Sequence, residues 1–261
     1  MKFIYELLIN ITIYYELFIL NIDALPLSIV VPVFNTGPYL DRCINSILNQ
    51  TFKDYELIFI DDASTDNSLQ ILENYRKTDN RIKLIQFNIN KGVSTARNAG
   101  MDIAEGDFIG FIDSDDFIDK RFYENLIANS TDYDIVVGKF LGGTNTSKYY
   151  KELKMELPAS IFDSIWRKDF LNKYHIRYDE TMKRGSDRKF RMEAYEYQPR
   201  ILKLPDVGIY YYYKRRTGSL SNFSKKQLKR YNRDAYEEFK KKKKNARKNK
   251  KDERIINKNE L

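Results

Sequence analysis

From residue 27 onward, short apolar runs alternate with stretches whose apolar residues recur every third or fourth position. The runs 27–33 (LSIVVPV), 55–60 (YELIFI), 82–87 (IKLIQF), 107–112 (DFIGFI) and 134–140 (DIVVGKF) have the near-continuous apolar character of buried strands. Between them, Pro38 suits the first turn of a helix that carries Leu40, Ile44, Ile47 and Leu48. Asp66 or Ser64 can cap a second helix bearing Leu69, Leu72 and Tyr75, and 93–104 predicts a third. This order predicts an α/β fold: a mostly parallel sheet with helices on both faces. Past Gly142 and Gly143 the regularity weakens. There 159–173 and 185–197 have helical spacing, and 201–204 and 207–213 predict late strands.

The two ends differ from this body. Residues 1–25 are strongly apolar but carry Glu6, Asn10, Glu16 and Asn21. Carboxylates inside a span are costly, so a peripheral helix or an apolar extension is expected rather than an anchor. The formal charge of +8 belongs to the other end, where 225–261 holds sixteen Lys and Arg against six acids. The rest of the chain is slightly acidic, which gives no ground for a nucleic-acid partner. Between Lys225 and Lys244, Leu228, Tyr231, Ala235 and Phe239 recur at helical spacing among basic residues. A helix lying on an anionic membrane surface and a solvated tail are both compatible with that pattern. One Cys (Cys43) and one His (His175) exclude an internal disulfide and a Cys/His zinc cluster. His175 has no carboxylate or Ser partner to act with and is expected to be structural.

In open α/β sheets ligands bind beyond the carboxyl ends of the strands. Those ends carry Pro32-Val33-Phe34-Asn35, then the acidic stretch 61–66 (DDASTD), then 88–92, then Asp113-Ser114-Asp115-Asp116. An acidic pocket accepts phosphate only through a cation. A D-x-D pair can hold Mg²⁺ or Mn²⁺ by oxygen while the remaining positions take diphosphate oxygens. Alone such a pair is a weak signal, because Asp-rich turns usually cap helices.

The four motifs in order are specific. SIVVPVFNTGPYLDRCINSILNQTF, YELIFIDDASTDNSLQIL and NKGVSTARNAGMDIAEGDFIGFIDSDDFID together resemble the family 2 glycosyltransferases of the GT-A, Rossmann-like fold. The resemblance runs from Leu27 to about Phe140 and more weakly to Ser221. It implies a nucleotide-sugar half over 27–140, a smaller acceptor half over 141–221, an extension over 1–26 and a basic helical tail over 222–261.

By position, the resemblance places Pro32, Phe34 and Asn35 at the nucleotide base, with Asp62 hydrogen-bonding it. It places Lys91, Gly92 and the A-R-N-x-G stretch from Ala96 to Gly100 around nucleotide and diphosphate. Arg97 has two open roles, a fork to phosphate or an ion pair to the acidic cluster. Asp113 and Asp115 match the metal motif, with Asp113 also at the ribose, and Asp116 is expected to cap a helix near Asp119. The segment 184–190 (RGSDRKF) resembles the G-E-D-x-x-F motif, which makes Asp187 the catalytic base. Ser186 departs from the usual Glu, and an N-cap role is the alternative for Asp187. Lys214 and Arg216 fall in a segment similar to the family's Y-x-R-x-x-x-G-S near the diphosphate, with Lys214 where Arg is frequent. Trp166 is either an acceptor wall or core.

The resemblance implies an inverting, metal-dependent enzyme that moves one hexose or N-acetylhexosamine from a UDP-sugar to a cell-surface glycan or lipid-linked acceptor. It would work in the cytoplasm, on the inner face of the membrane. The Q-x-x-R-W motif of processive synthases fails at 198–201 (QPRI), which favours single addition. A non-catalytic nucleotide- or glycan-binding relative is the first rival. A nucleotidyltransferase is the second, disfavoured because no Gly-rich basic loop follows the first strand.

Overall fold

The computed structural model describes residues 25–143, 151–152, 161–182, 184–204 and 207–213. Residues 1–24 of the apolar extension, and the basic tail with Lys214 and Arg216, lie outside the described residues. In the first half, β1 (Leu27–Val33), α1 (Gly37–Leu48), β2 (Tyr55–Asp61), α2 (Ser68–Thr78), β3 (Ile82–Gln86), α3 (Val93–Ile103) and β4 (Phe108–Phe111) alternate as the pattern predicts. Next come β5 (Phe117–Ile118), α4 (Phe122–Ile127), β6 (Ile135–Val137), β7 (Lys139–Gly143) and β8 (Lys151–Glu152). The described chain finishes with β9 (Ser164–Arg167), α5 (Lys168–Lys173), α6 (Ser186–Glu196), β10 (Ile201–Lys203) and β11 (Ile209–Tyr213).

Strands β1 and β2 are buried at every position, as strands covered on both faces must be. The large sheet has the order β10-β6-β9-β4-β1-β2-β3, and β9 alone runs against its neighbours. Val33 lies opposite Asp61, and Asp61 opposite Gln86, so the polar strand ends are brought side by side. Helix α1 opens on Pro38 and buries Leu40, Cys43, Ile44 and Ile47. Helix α3 approaches the sheet closely at Gly100, where a Cβ would stand 2.4 Å from Val30 Cγ1.

Two expectations are corrected beyond β4. Of the helix expected over 159–173, only Lys168–Lys173 is helical among the described residues, and Ser164–Arg167 is strand β9. Inserted between β4 and β6, β9 completes the ladders of both and buries Ile165 and Trp166 fully, one on each face. The predicted strand 134–140 breaks at Gly138 into β6 and β7. A Cβ at Gly138 would stand 2.5 Å from the Gly208 carbonyl oxygen. There the chain leaves the large sheet for a small one of order β5-β11-β7-β8.

A buried polar knot holds the edge of this core. Glu56, on β2, accepts hydrogen bonds from Ser28 Oγ at 2.5 Å and the Glu105 N–H at 2.6 Å, and pairs with Lys83 Nζ at 2.7 Å. Burial alone would raise its pKa, but Lys83, Ser28 and the Glu105 amide together hold it below the ordinary value. Glu56→Gln should therefore cost about 2 kcal/mol at neutral pH, measured by denaturant unfolding. Because the folded pKa is lowered, the advantage of the native protein is complete above the ordinary carboxyl range. It should shrink as pH falls through the folded pKa. A gap that persists unchanged in acid would refute this account.

Candidate functional site

The end of β1 and the loop after β2 are fastened to each other. Asn35 adopts φ 51, its side-chain oxygen accepts the Thr65 N–H at 2.8 Å and the Asp66 N–H at 3.3 Å, and its own N–H donates to Ser64 Oγ at 3.1 Å. Asp66 accepts from Gly37 N–H at 3.0 Å and Ser68 N–H at 2.9 Å, tying the starts of α1 and α2 together. The N-cap position of α2 is held by Asn67, so neither Asp66 nor Ser64 stands there as expected. Of the three residues expected at the base, Pro32 is buried inside β1 opposite Ile60, and Asn35 builds the loop. Phe34, 41% exposed, is the one of the three with an exposed side chain.

Asp62 is 3% exposed, and its two carboxyl oxygens accept the N–H groups of Lys91 at 2.6 Å and Gly92 at 2.8 Å. Burial raises its pKa in spite of these bonds. The carboxylate therefore shapes the 90–92 loop that leads into α3. Gly92, at φ 91, reverses the chain into α3 in a conformation open to glycine. Lys91 is exposed, with its ammonium 4.6 Å from the Phe87 ring centroid.

Helix α3 carries the A-R-N-x-G stretch, and its residues face inward. The Arg97 guanidinium is 3% exposed and acts as a fork between two acids, Nη2 to Asp113 Oδ1 at 2.7 Å and Nη1 to Asp187 Oδ1 at 2.5 Å. Of the two roles open to it, the structure shows the ion pair. Burial would lower the Arg97 pKa, but Asp187 and Asp113 outweigh it and hold the group firmly cationic. Burial raises the pKa of Asp187, opposed by the Arg97 charge and reinforced by Asp113. Asp187 lies in the first turn of α6 behind Gly185, at φ 70, so Gly185 and not Asp187 is the N-cap residue. Its carboxylate also gains from the helix N-terminus.

Asn98, next to Arg97, had been expected near nucleotide. Its amide instead pairs with the backbone of Tyr178, both bonds 2.9 Å, and donates to Glu180 Oε1 at 2.9 Å. This holds 178–180 against α3, with the Tyr178 ring stacked on Phe190 at 4.4 Å and 5.2 Å from the Arg97 guanidinium carbon. Tyr178 and Glu180 lie in no motif and were not anticipated from sequence.

The D-x-D turn is closed by Asp116 N–H to Asp113 C=O at 2.9 Å, and Arg42 Nη2 donates to the Asp115 carbonyl at 2.8 Å. Asp116 does not cap a helix. It is fully buried and accepts the Tyr210 hydroxyl at 2.6 Å, while the Asp119 carbonyl takes the Phe122 N–H at the start of α4. Burial, with Asp116 and Asp113, raises the Tyr210 pKa, so its phenol stays protonated and donates. No cluster of three or more Asp, Glu, His or Cys able to hold a metal occurs among the described residues. Two carboxylates at one turn, Asp113 and Asp115, fit a hard cation that keeps its other positions for water and phosphate oxygens.

Trp166 is core, fully buried in β9 with its ring 5.3 Å from Phe190, and so forms no acceptor wall. His175 sits exposed at φ 53 in the turn after α5, its backbone N–H donating to the Asn172 carbonyl at 3.1 Å. A further unanticipated residue is Arg191, one turn beyond Asp187. It is 1% exposed and donates through Nη2 to Asp163 at 3.0 Å and Ser164 at 2.8 Å, pinning α6 to the start of β9.

The family model described as Glycosyl transferase family 2 matches residues 28–197. An uncharacterized glycosyltransferase of Bacillus subtilis (strain 168), EpsJ, is 31% identical over 208 residues, which are 71% of this chain and 60% of that protein. The poly(ribitol-phosphate) beta-glucosyltransferase of Bacillus spizizenii is 34% identical over 209 residues, 72% of this chain and 32% of that one. Among solved structures, Staphylococcus aureus TarS 1–349 in complex with UDP-GlcNAc superposes with a TM-score of 0.67 at 30% identity, over 76% of this chain and 61% of that one. The chain thus spans less than two thirds of the length of each of these proteins.

Proposed function

Since the chain belongs to glycosyl transferase family 2 and has the GT-A fold, we propose that it is an inverting glycosyltransferase. It would move one hexose or N-acetylhexosamine from a UDP-sugar to a hydroxyl of a cell-surface glycan. The observation that carries this reading is the Arg97 fork. It holds the Asp187 carboxylate and the first Asp of the D-x-D turn on one guanidinium, which supports a reading in which Asp187 is the base beside a donor site at Asp113. The UDP-GlcNAc bound by TarS and the poly(ribitol-phosphate) named for the Bacillus spizizenii relative favour a UDP donor and a surface-polymer acceptor.

Phe34 would stack on the base, and Asp62 would set the Lys91-Gly92 loop against the nucleotide. Asp113 and Asp115 would hold Mn²⁺ or Mg²⁺, which when bound neutralises the departing diphosphate. With Oδ1 held by Arg97, Asp187 has Oδ2 to take the acceptor proton as the hydroxyl attacks the anomeric carbon. Closing the site against water would favour transfer over hydrolysis. In this reading 27–140 is the donor half and 141–221 the acceptor half. The tail, through Lys225 to Lys244, would rest on the anionic inner face of the membrane, on the cytosolic side where a nucleotide sugar is available.

Thermal midpoints measured with UDP-, GDP-, CMP- and dTDP-sugars, with and without Mn²⁺, test the reading. One UDP-sugar should stabilise the protein by about 2.7 kcal/mol at a hundredfold excess over its Kd, and Asp115→Ala should lose the Mn²⁺-dependent part. Ser186 and Lys214, standing where the family usually has Glu and Arg, favour a second reading as a non-catalytic binding relative. Stabilisation by a sugar nucleotide without any Mn²⁺-dependent hydrolysis or transfer would select it. Silence toward every donor would refute the catalytic reading and favour the non-catalytic relative as a glycan binder.

A further inference from the structure

Tyr210 comes from the small sheet, yet its hydroxyl stands inside the turn that carries Asp113 and Asp115. It donates to Asp116 Oδ2 at 2.6 Å and accepts the Asp113 N–H at 3.1 Å, so one hydroxyl spans the turn from its first residue to its last. Its ring is fully buried, stacked on Phe162 at 4.6 Å with Phe122 at 6.2 Å, and leaves the hydroxyl little freedom. The chain leaving the turn is fixed to the same strand. Tyr210 lies opposite Ile118 in the β5–β11 ladder, and Asp119 bonds the Ile209 backbone through both its N–H and its carboxylate. A carboxylate as deep as Asp116 needs a donor, and Tyr210 supplies it from more than ninety residues along the chain.

We propose that Tyr210 is a positioning residue for the donor site. Acting through Asp116 and the Asp113 amide, its hydroxyl holds the turn in the shape that presents Asp113 and Asp115 to a divalent cation and diphosphate. The proposal rests on Asp113 and Asp115 being the cation ligands. A partner one step removed from a ligand typically changes metal affinity by about 10- to 100-fold when lost.

The experiment titrates Mn²⁺ against the thermal midpoint at saturating UDP for the native protein, Tyr210→Phe, Asp116→Asn and Tyr55→Phe. Tyr210→Phe keeps the ring and removes the hydroxyl. Tyr55→Phe is the control: it loses a buried hydroxyl bond of similar length, 2.9 Å to the Ile47 carbonyl, at the opposite end of β2. Tyr210→Phe should need about tenfold more Mn²⁺ for half of the stabilisation. Asp116→Asn, which leaves the phenol a weaker acceptor, should need about threefold more. Tyr55→Phe should lower the midpoint without moving the Mn²⁺ requirement. An unchanged requirement in Tyr210→Phe, or in Asp116→Asn should the first variant fail to fold, overturns the proposal and leaves the cation reading intact. No response of the native protein to Mn²⁺ overturns the cation reading and the proposal with it.

Discussion

Asp187→Asn should lower kcat for sugar transfer by about 10²- to 10⁴-fold, the range by which a positioned general base accelerates a reaction. The amide oxygen can still accept from Arg97 Nη1, so α6 should keep its place and UDP should bind with little change. The loss belongs in kcat and not in the KM for donor, because the proton moves only as the acceptor attacks. Steady-state kinetics in both substrates, with UDP affinity measured separately, decide the matter. Normal turnover would remove Asp187 from the base role. A loss confined to donor KM would move it to nucleotide binding.

Arg97→Met should have the largest effect on the folded state. The guanidinium is the shared counter-ion of Asp113 and Asp187, and it is almost wholly buried. Removing one partner from a fully buried ion pair costs about 3–5 kcal/mol; Asp113 and Asp187 keep 27% of their side-chain surface in water, so the loss should fall in the lower part of that range or below it. Here two like charges would be left facing each other. Transfer should fall below detection even at temperatures where the variant is folded. Arg97→Lys should recover stability in part but little activity, since an ammonium lacks the planar fork that reaches both acids. A double-mutant cycle of Arg97→Met with Asp187→Asn should show a coupling of about 1–3 kcal/mol. Additive losses would mean that the two side chains do not act as a unit.

These expectations rest on parts of the molecule that were legible to different degrees. The alternation of strand and helix through β4 follows from local spacing, since a buried parallel strand requires an apolar run and a covering helix an apolar stripe. The acidic strand ends follow from the same spacing, because the last apolar residue of each run marks where the chain emerges. Strand β9 was not legible: Ile161, Phe162, Ile165, Trp166 and Phe170 satisfy helical spacing as well as strand burial. The vacant ladders of β4 and β6 decided between them. Nor was the break at Gly138, which depends on the Gly208 carbonyl that passes over it.

The motif residues divide in the same way. Sequence alone placed Asp113, Asp115 and Asp187 at the ends of elements and left Arg97 with two roles, because composition says which charges exist and not which of them meet. The bond from Arg97 to Asp187 crosses 90 positions, that from Tyr210 to Asp116 crosses 94, and those from Asn98 to Tyr178 cross 80. Periodicity is set by neighbours within a few residues. The partner of a buried polar group is set by which distant segment the topology lays against it, and burial makes finding that partner obligatory. The alternating elements and the acidic strand ends were therefore determined by sequence, whereas the Arg97 fork and the Tyr210 brace exist only once the chain has folded.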